Sequence, residues 1–210
     1  MKSSLTALLV FLFLISVSYT QDELWLITSD KNKRLNEKVG LKESTKRLGD
    51  LYKIDLNHDS FKDGLLFKAN DFEQQVVIFD SKGQKVATFS MPYVGFGSGA
   101  LKYSLNYIGH GVSILVIYFS EGRIKYLQRE SKVRTYLLTI NKKLEKKNIY
   151  FQKGPVLLGE YFSDKHKHLF ERVLEIKDLN NDNLKEIILS SRHGNKNVLK
   201  LNDKLFWEIF

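Results

Sequence analysis

Two stretches of the chain carry the same polar ladder: Asp55-Leu56-Asn57-His58-Asp59-Ser60-Phe61-Lys62-Asp63 and Asp178-Leu179-Asn180-Asn181-Asp182-Asn183-Leu184-Lys185-Glu186. In each, Asp or Asn stands at positions 1, 3 and 5 and a carboxylate closes the run at position 9. Four such side-chain oxygens and the backbone carbonyl of position 7 suit a hard cation, and Ca2+ takes roughly six to eight oxygens. The spacing predicts two structural Ca2+ loops. The first set of ligands is Asp55, Asn57, Asp59, the Phe61 carbonyl and Asp63; the second is Asp178, Asn180, Asp182, the Leu184 carbonyl and Glu186. A cation there would neutralise carboxylates whose repulsion otherwise opens the turn. The competing reading is a metal-free Asx turn, because Asp and Asn also bond their own backbone between strands.

Both ladders sit between short apolar runs. Tyr52-Lys53-Ile54 enters the first and Gly64-Leu65-Leu66-Phe67 leaves it; Leu174-Glu175-Ile176 and Ile187-Ile188-Leu189 flank the second. That is a strand-loop-strand signal. An EF-hand would need flanking helices and a glutamate at position 12, where Leu66 and Leu189 stand.

From Leu51 onward the apolar runs fall into groups of four. The first is Leu51–Ile54, Gly64–Lys68, Gln75–Phe79 and Lys85–Met91, the last two joined by the turn Asp80-Ser81-Lys82-Gly83. The second is Leu101–Ile108, Ser113–Phe119, Lys132–Ile140 and Lys147–Phe151, and the third Arg172–Ile176, Lys185–Ser190, Asn197–Leu201 and Leu205–Phe210. Four short antiparallel strands per unit is how propeller blades read. The expected fold is therefore all-β, a propeller-like array of four-stranded antiparallel repeats over residues 51–210. Three units are too few for a ring of roughly four to eight blades. Either the N-terminal region and Gln152 to Phe170 add further strands, or the array is open or differently closed, or two chains complete one ring.

Asp55–Phe67 and Asp178–Leu189 resemble the FG-GAP and VCBS repeats, whose consensus is an Asp-x-Asn-x-Asp-x-x-x-Asp/Glu loop followed by an apolar strand. The resemblance implies a β-propeller with calcium in the loops. It covers about fifteen residues per copy and bears on fold more than on function. The family's glycine at position 6 is replaced here by Ser60 and Asn183, and Asn tolerates positive φ better than Ser does.

Ahead of this region, Lys2, the apolar run Leu5–Val17 and the small residues near Thr20 have the three parts of a secretory leader, residues 1–20. The apolar run is too short to span a bilayer, which needs about 20 residues. Export to a periplasm, the cell surface or the medium is expected. Residues 21–50 read as a strand, Trp25–Thr28, and a charged segment, Ser29–Leu48, able to form a short helix interrupted near Gly40. The chain has no cysteine, so no disulfide supports an exported fold.

The formal net charge is +9, and removing the leader with its single Lys2 lowers it by one. Spread lysines read as solvated faces or as attraction to an anionic surface. They give no aromatic stacking platform, so specific nucleic-acid binding is not expected. A protein or glycan ligand and self-association fit better.

The remaining motifs are weak. Gly95-Phe96-Gly97-Ser98-Gly99-Ala100 satisfies G-x-G-x-x-A, but Leu101–Ile108 alternates like a strand where a dinucleotide site needs a helix. Asp164, His166 and His168 lie among lysines; His110 and His193 stand beside glycines with no nucleophile motif for company. The aromatic C-terminal run Leu205–Phe210 reads as a core strand rather than a barrel strand. The expected role is an exported, non-catalytic binding protein. The alternatives are a hydrolase or lyase acting on a polymer in a propeller channel, or a basic protein held on anionic envelope material.

Overall fold

The computed structural model describes residues 23–28, 46–47, 49–95, 98–125, 128–163, 166–192 and 194–209. The expected leader and most of the candidate helix lie outside them. The first strands are β1 (Glu23–Thr28), β2 (Lys46–Arg47), β3 (Leu51–Ile54), β4 (Asp63–Ala69), β5 (Glu73–Phe79) and β6 (Lys85–Pro92). Then follow β7 (Gly99–Gly109), β8 (Val112–Lys125), β9 (Gln128–Asn141), a 3-10 turn (Lys146–Asn148) and β10 (Ile149–Ser163). The last are β11 (His166–Lys177), β12 (Glu186–Ser191), β13 (Lys196–Leu201) and β14 (Trp207–Ile209).

Local chemistry sets the turns. Between β5 and β6, Asp80 Oδ1 accepts from the N–H groups of Lys82 and Gln84, and Gly83 takes φ +82°. An Asx residue followed by a left-handed glycine reverses the chain tightly. Asn202 plays the same accepting role between β13 and β14, where its Oδ1 accepts from Lys204 and Phe206, with Leu205 (φ 62°) in the left-handed position in place of glycine.

The propeller expected from the repeats is not what these strands build. They form two open sheets, one of four strands ordered β3-β4-β5-β6 and one of ten ordered β14-β13-β12-β11-β10-β9-β8-β7-β1-β2. All pairs are antiparallel except β1 with β2. A blade boundary was expected after Phe151, but pairing runs on from β10 into β11, from Leu158 opposite Glu171 to Ser163 opposite His166. The cause is strand length: β10 and β11 have 15 and 12 residues and carry the ladder past the end of the second unit.

Two cores lie on opposite faces of β7–β9. On one face, Tyr103, Leu115, Ile117, Phe119, Tyr136 and Leu138 pack against Tyr52, Leu65, Phe67, Val76 and Ile78 of the four-stranded sheet. On the other, Ile114, Val116 and Leu137 pack against Ile187, Leu189, Leu199 and Trp207. The indole Nε1 of Trp207 also donates to Thr139 Oγ1 of β9 at 3.0 Å, so β12–β14 lie across the face of β8 and β9. This explains why β8 reads as an unbroken apolar run. Ile114, Leu115, Val116 and Ile117 are each 0% exposed because both faces of the strand are covered.

A buried ion pair closes one end of the first core. Arg134 Nε meets Glu121 Oε1 at 3.0 Å and its Nη1 donates to the Gly154 carbonyl, while Lys153 Nζ stands 3.7 Å from the same Glu121 oxygen.

Candidate functional site

The two ladders fold into twin loops, one joining β3 to β4 and the other β11 to β12. Position 4 and position 6 take positive φ in both: His58 (57°) and Ser60 (73°), Asn181 (62°) and Asn183 (65°). Asp55 accepts from the N–H groups of Asp59 and Ser60; Asp178 accepts from those of Asn181 and Asn183. Asp59 and Asp182 each take the N–H of position 7 on Oδ1 and the amide of position 3 on Oδ2. The closing carboxylates Asp63 and Glu186 accept from Leu56 and Leu179 at position 2.

These bonds correct the expectation of Ca2+. The carboxylate oxygens of Asp55, Asp59, Asp178 and Asp182 are turned onto the amides of their own loops. Among the described residues, no group of three or more His, Cys, Asp or Glu is gathered to hold a metal ion. The metal-free Asx turn accounts for the Asn57 and Asn180 amide bonds to Asp59 and Asp182 and for the N–H groups of Phe61 and Leu184 as well, while Asn57 Oδ1 has no partner among the described residues.

The electrostatics of the twins differ. Asp63 is buried at the start of β4, and that burial pushes its carboxyl up to about 6; the Leu56 N–H opposes the rise, and Asp59, Asp55 and Asp80 add to it. Asp182 is exposed and lies below the usual carboxylate range, held there by the Leu184 N–H and the Asn180 amide.

Both loops grip one hairpin, the β7–β8 turn. Asn57 Nδ2 donates to the Lys142 carbonyl at 3.0 Å, Lys142 N–H donates to the Gly111 carbonyl, and the His58 ring lies 4.9 Å from that of Tyr107. From the other side, Lys185 N–H donates to the Ile108 carbonyl at 2.7 Å and the Asn183 carbonyl rests against Gly109. His110 Nε2 stands 3.4 Å from the Asp182 carbonyl, so that histidine belongs to the clamp. His166 and His168 fall in β11; Asp164 and His193 lie outside the described residues. Where the glycine-rich segment ends, Gly99 and Ala100 open β7 rather than a helix.

Beside the clamp, between the β7–β8 face and β11, is a cleft of about 570 Å3. One wall is Ser104, Asn106 and Tyr118; the other is Leu174 to Lys177. Ser104 and Asn106 are buried, with Asn106 Nδ2 donating to Ser104 Oγ at 3.3 Å. Lys102, directly across the ladder from Tyr118, places Nζ 4.3 Å from that ring's centroid. Burial holds the Lys102 ammonium below its ordinary pKa, and among the described residues no carboxylate pairs with it. The cleft itself offers a hydroxyl, a carboxamide, an aromatic face and the charged side chains of Glu175 and Lys177, and Lys102 lies over the Tyr118 ring that forms part of its wall.

Sequence reasoning passed over this wall. Lys102, Ser104 and Asn106 alternate with Tyr103 and Leu105, the ordinary pattern of a strand with one wet face. The signal present was that all three polar residues fall together on β7.

No protein-family profile, no curated protein and no solved structure matches this chain. The resemblance to FG-GAP and VCBS repeats is therefore corrected along with the propeller. What the two ladders share with those repeats is a turn chemistry confined to the loop.

Proposed function

We propose that the protein is an exported binding protein whose ligand is a small organic anion held in the cleft between β7–β8 and β11. The observation that carries this is the placement of Lys102 over Tyr118 at one side of an opening walled by Ser104 and Asn106. An anionic group near Lys102 would recover Coulomb energy that the buried ammonium lacks, and the hydroxyl and amide supply orientation. Leu174 and Ile176 give an apolar partner to the body of the ligand. The net charge of +9 favours encounter with anions. Export rests on the leader-like residues 1–20, and N-terminal sequencing of the product recovered outside the cytoplasm tests it.

The ligand is tested by thermal-shift screening of small carboxylates and phosphate esters at low ionic strength. A compound that raises the melting temperature of the wild type should lose its effect in Lys102→Met and in Asn106→Leu. A screen in which no anion shifts the wild type, or in which Lys102→Met responds equally, overturns the reading.

Among the described residues no helix is long and apolar enough to cross a membrane. Attachment to anionic envelope material is open to the same charge and would show as vesicle or heparin retention that falls steeply with salt.

A further inference from the structure

A second opening, independent of the first, lies where the inner-face row of β11 and β12 changes character. Leu174 opposite Leu189 belongs to the core, but the next pair on that face, Arg172 opposite Ser191, is polar. Beyond the core edge is a pocket of about 390 Å3. The turn from β12 to β13 forms its rim, set by Ser191 N–H donating to the Asn195 carbonyl and Gly194 N–H returning to that of Ser191.

The pocket's two arginines have different tasks. Arg192 Nε is bound to Glu171 Oε2 at 2.8 Å. Arg172 has no carboxylate partner among the described residues; its guanidinium carbon lies 4.4 Å from the centroid of Phe170. Stacking a guanidinium on an aromatic ring fixes its plane and leaves its N–H edge for a planar oxyanion. Ser191 Oγ, shielded from solvent, has no hydrogen-bond partner among the described residues and is an unmatched polar atom in the pocket lining. Asn195 and Asn197 add carboxamides that both donate and accept, as hydroxyl groups require.

We propose that this pocket binds a carboxylate-bearing saccharide, with the Arg172 guanidinium as the contact for its carboxylate. A flat carboxylate matches the guanidinium edge in two parallel bonds, and carboxamides that both donate and accept suit the hydroxyl groups of a sugar. Leu169, 52% exposed, provides apolar surface for the ring C–H groups of a sugar.

The test is calorimetric titration of the full chain with glucuronate and with trigalacturonate, alongside maltotriose and inorganic phosphate. The acidic saccharides should bind, and the neutral saccharide and phosphate should bind at least about tenfold more weakly. Arg172→Lys keeps the charge but loses the planar fork, and should weaken saccharide binding by about tenfold at an unchanged melting temperature. Ser191→Ala gives a second variant should Arg172→Lys prove poorly folded, with binding reduced and the fold retained. Lys102→Met should leave this binding untouched. Absence of saccharide binding at millimolar concentrations overturns the proposal, as does phosphate binding equal to uronate, full binding in Arg172→Lys, or loss of binding in Lys102→Met alone.

Discussion

The carbonyl oxygen of Asn183 occupies the space where a side chain on Gly109 would begin. Gly109 also has φ +118°, a conformation closed to residues with a Cβ. Loop and hairpin can meet only because this position is bare. Gly109→Ala should therefore lower stability by more than the ordinary ~1 kcal/mol of a glycine replacement, because backbone must move. Chemical denaturation checks this. Gly83, which has positive φ but open space around it, is the control and should lose less on the same change.

Asp63 makes stability depend on pH. Its carboxyl lies at about 6 when folded against an ordinary 3.8, so the folded chain binds the proton more tightly than the unfolded one. The stability this group contributes is fully present below about pH 4 and is lost as pH rises through 6. Asp63→Asn keeps an oxygen for the Leu56 N–H and removes the charge. The variant should melt several degrees above the wild type at pH 7.5, on the order of 1–3 kcal/mol, and close to it at pH 4. A constant difference across that range would show that the loop does not sense the charge.

Ser60 carries a left-handed φ of 73° that its twin assigns to Asn183. A left-handed residue with a Cβ costs roughly 1–2 kcal/mol, partly recovered for Asn by local bonding. Ser60→Gly should stabilise the chain by about 0.5–1 kcal/mol once the entropy of glycine is set against the relief. The reverse change in the second loop, Asn183→Ser, should destabilise by a similar amount. Paired urea denaturation curves decide both.

Removing Glu121 should cost more than removing a surface charge. Its side chain is 7% exposed, and Arg134, 21% exposed, would be left facing the core edge beside Lys153. Glu121→Ala should destabilise by about 3 kcal/mol, whereas Glu145→Ala, which breaks an exposed pair with Lys147, should change stability by well under 1 kcal/mol. Equal losses would place the Glu121 cluster among ordinary surface pairs.

Much of the strand plan was legible. The short β-branched run in Gln75–Phe79 and the Asp80–Gly83 turn mark β5 and β6 without tertiary knowledge. The unbroken run Ile114–Ile117 marks a strand covered on both faces. The division into blades was not legible: the apolar runs end the second unit at Phe151, whereas β10 runs on through Gly154-Pro155 to Ser163. That dipeptide punctuates a sequence, but here it is absorbed as an irregularity of β10 between Lys153 and Val156, where a bulge tolerates the missing N–H. Nor does spacing tell whether Asp55 and Asp178 direct their oxygens to a cation or to loop amides, since both uses need the same tight turn. Ser104 and Asn106 read as a solvent face until Leu174–Lys177 of β11 are seen to face them across the cleft.

The burial of β7–β9 from two sides also limits how such a chain can change in length. A ring of like units can gain or shed one and keep its kind, because each unit meets only its neighbours. Here, deletion of residues 51–92 would bare Leu115, Ile117 and Phe119, and deletion of β12–β14 would bare Ile114 and Val116. Neither remainder would have a surface fit for water. For all the likeness of its two loops, neither of these two segments could be shed without stripping a face of β7–β9.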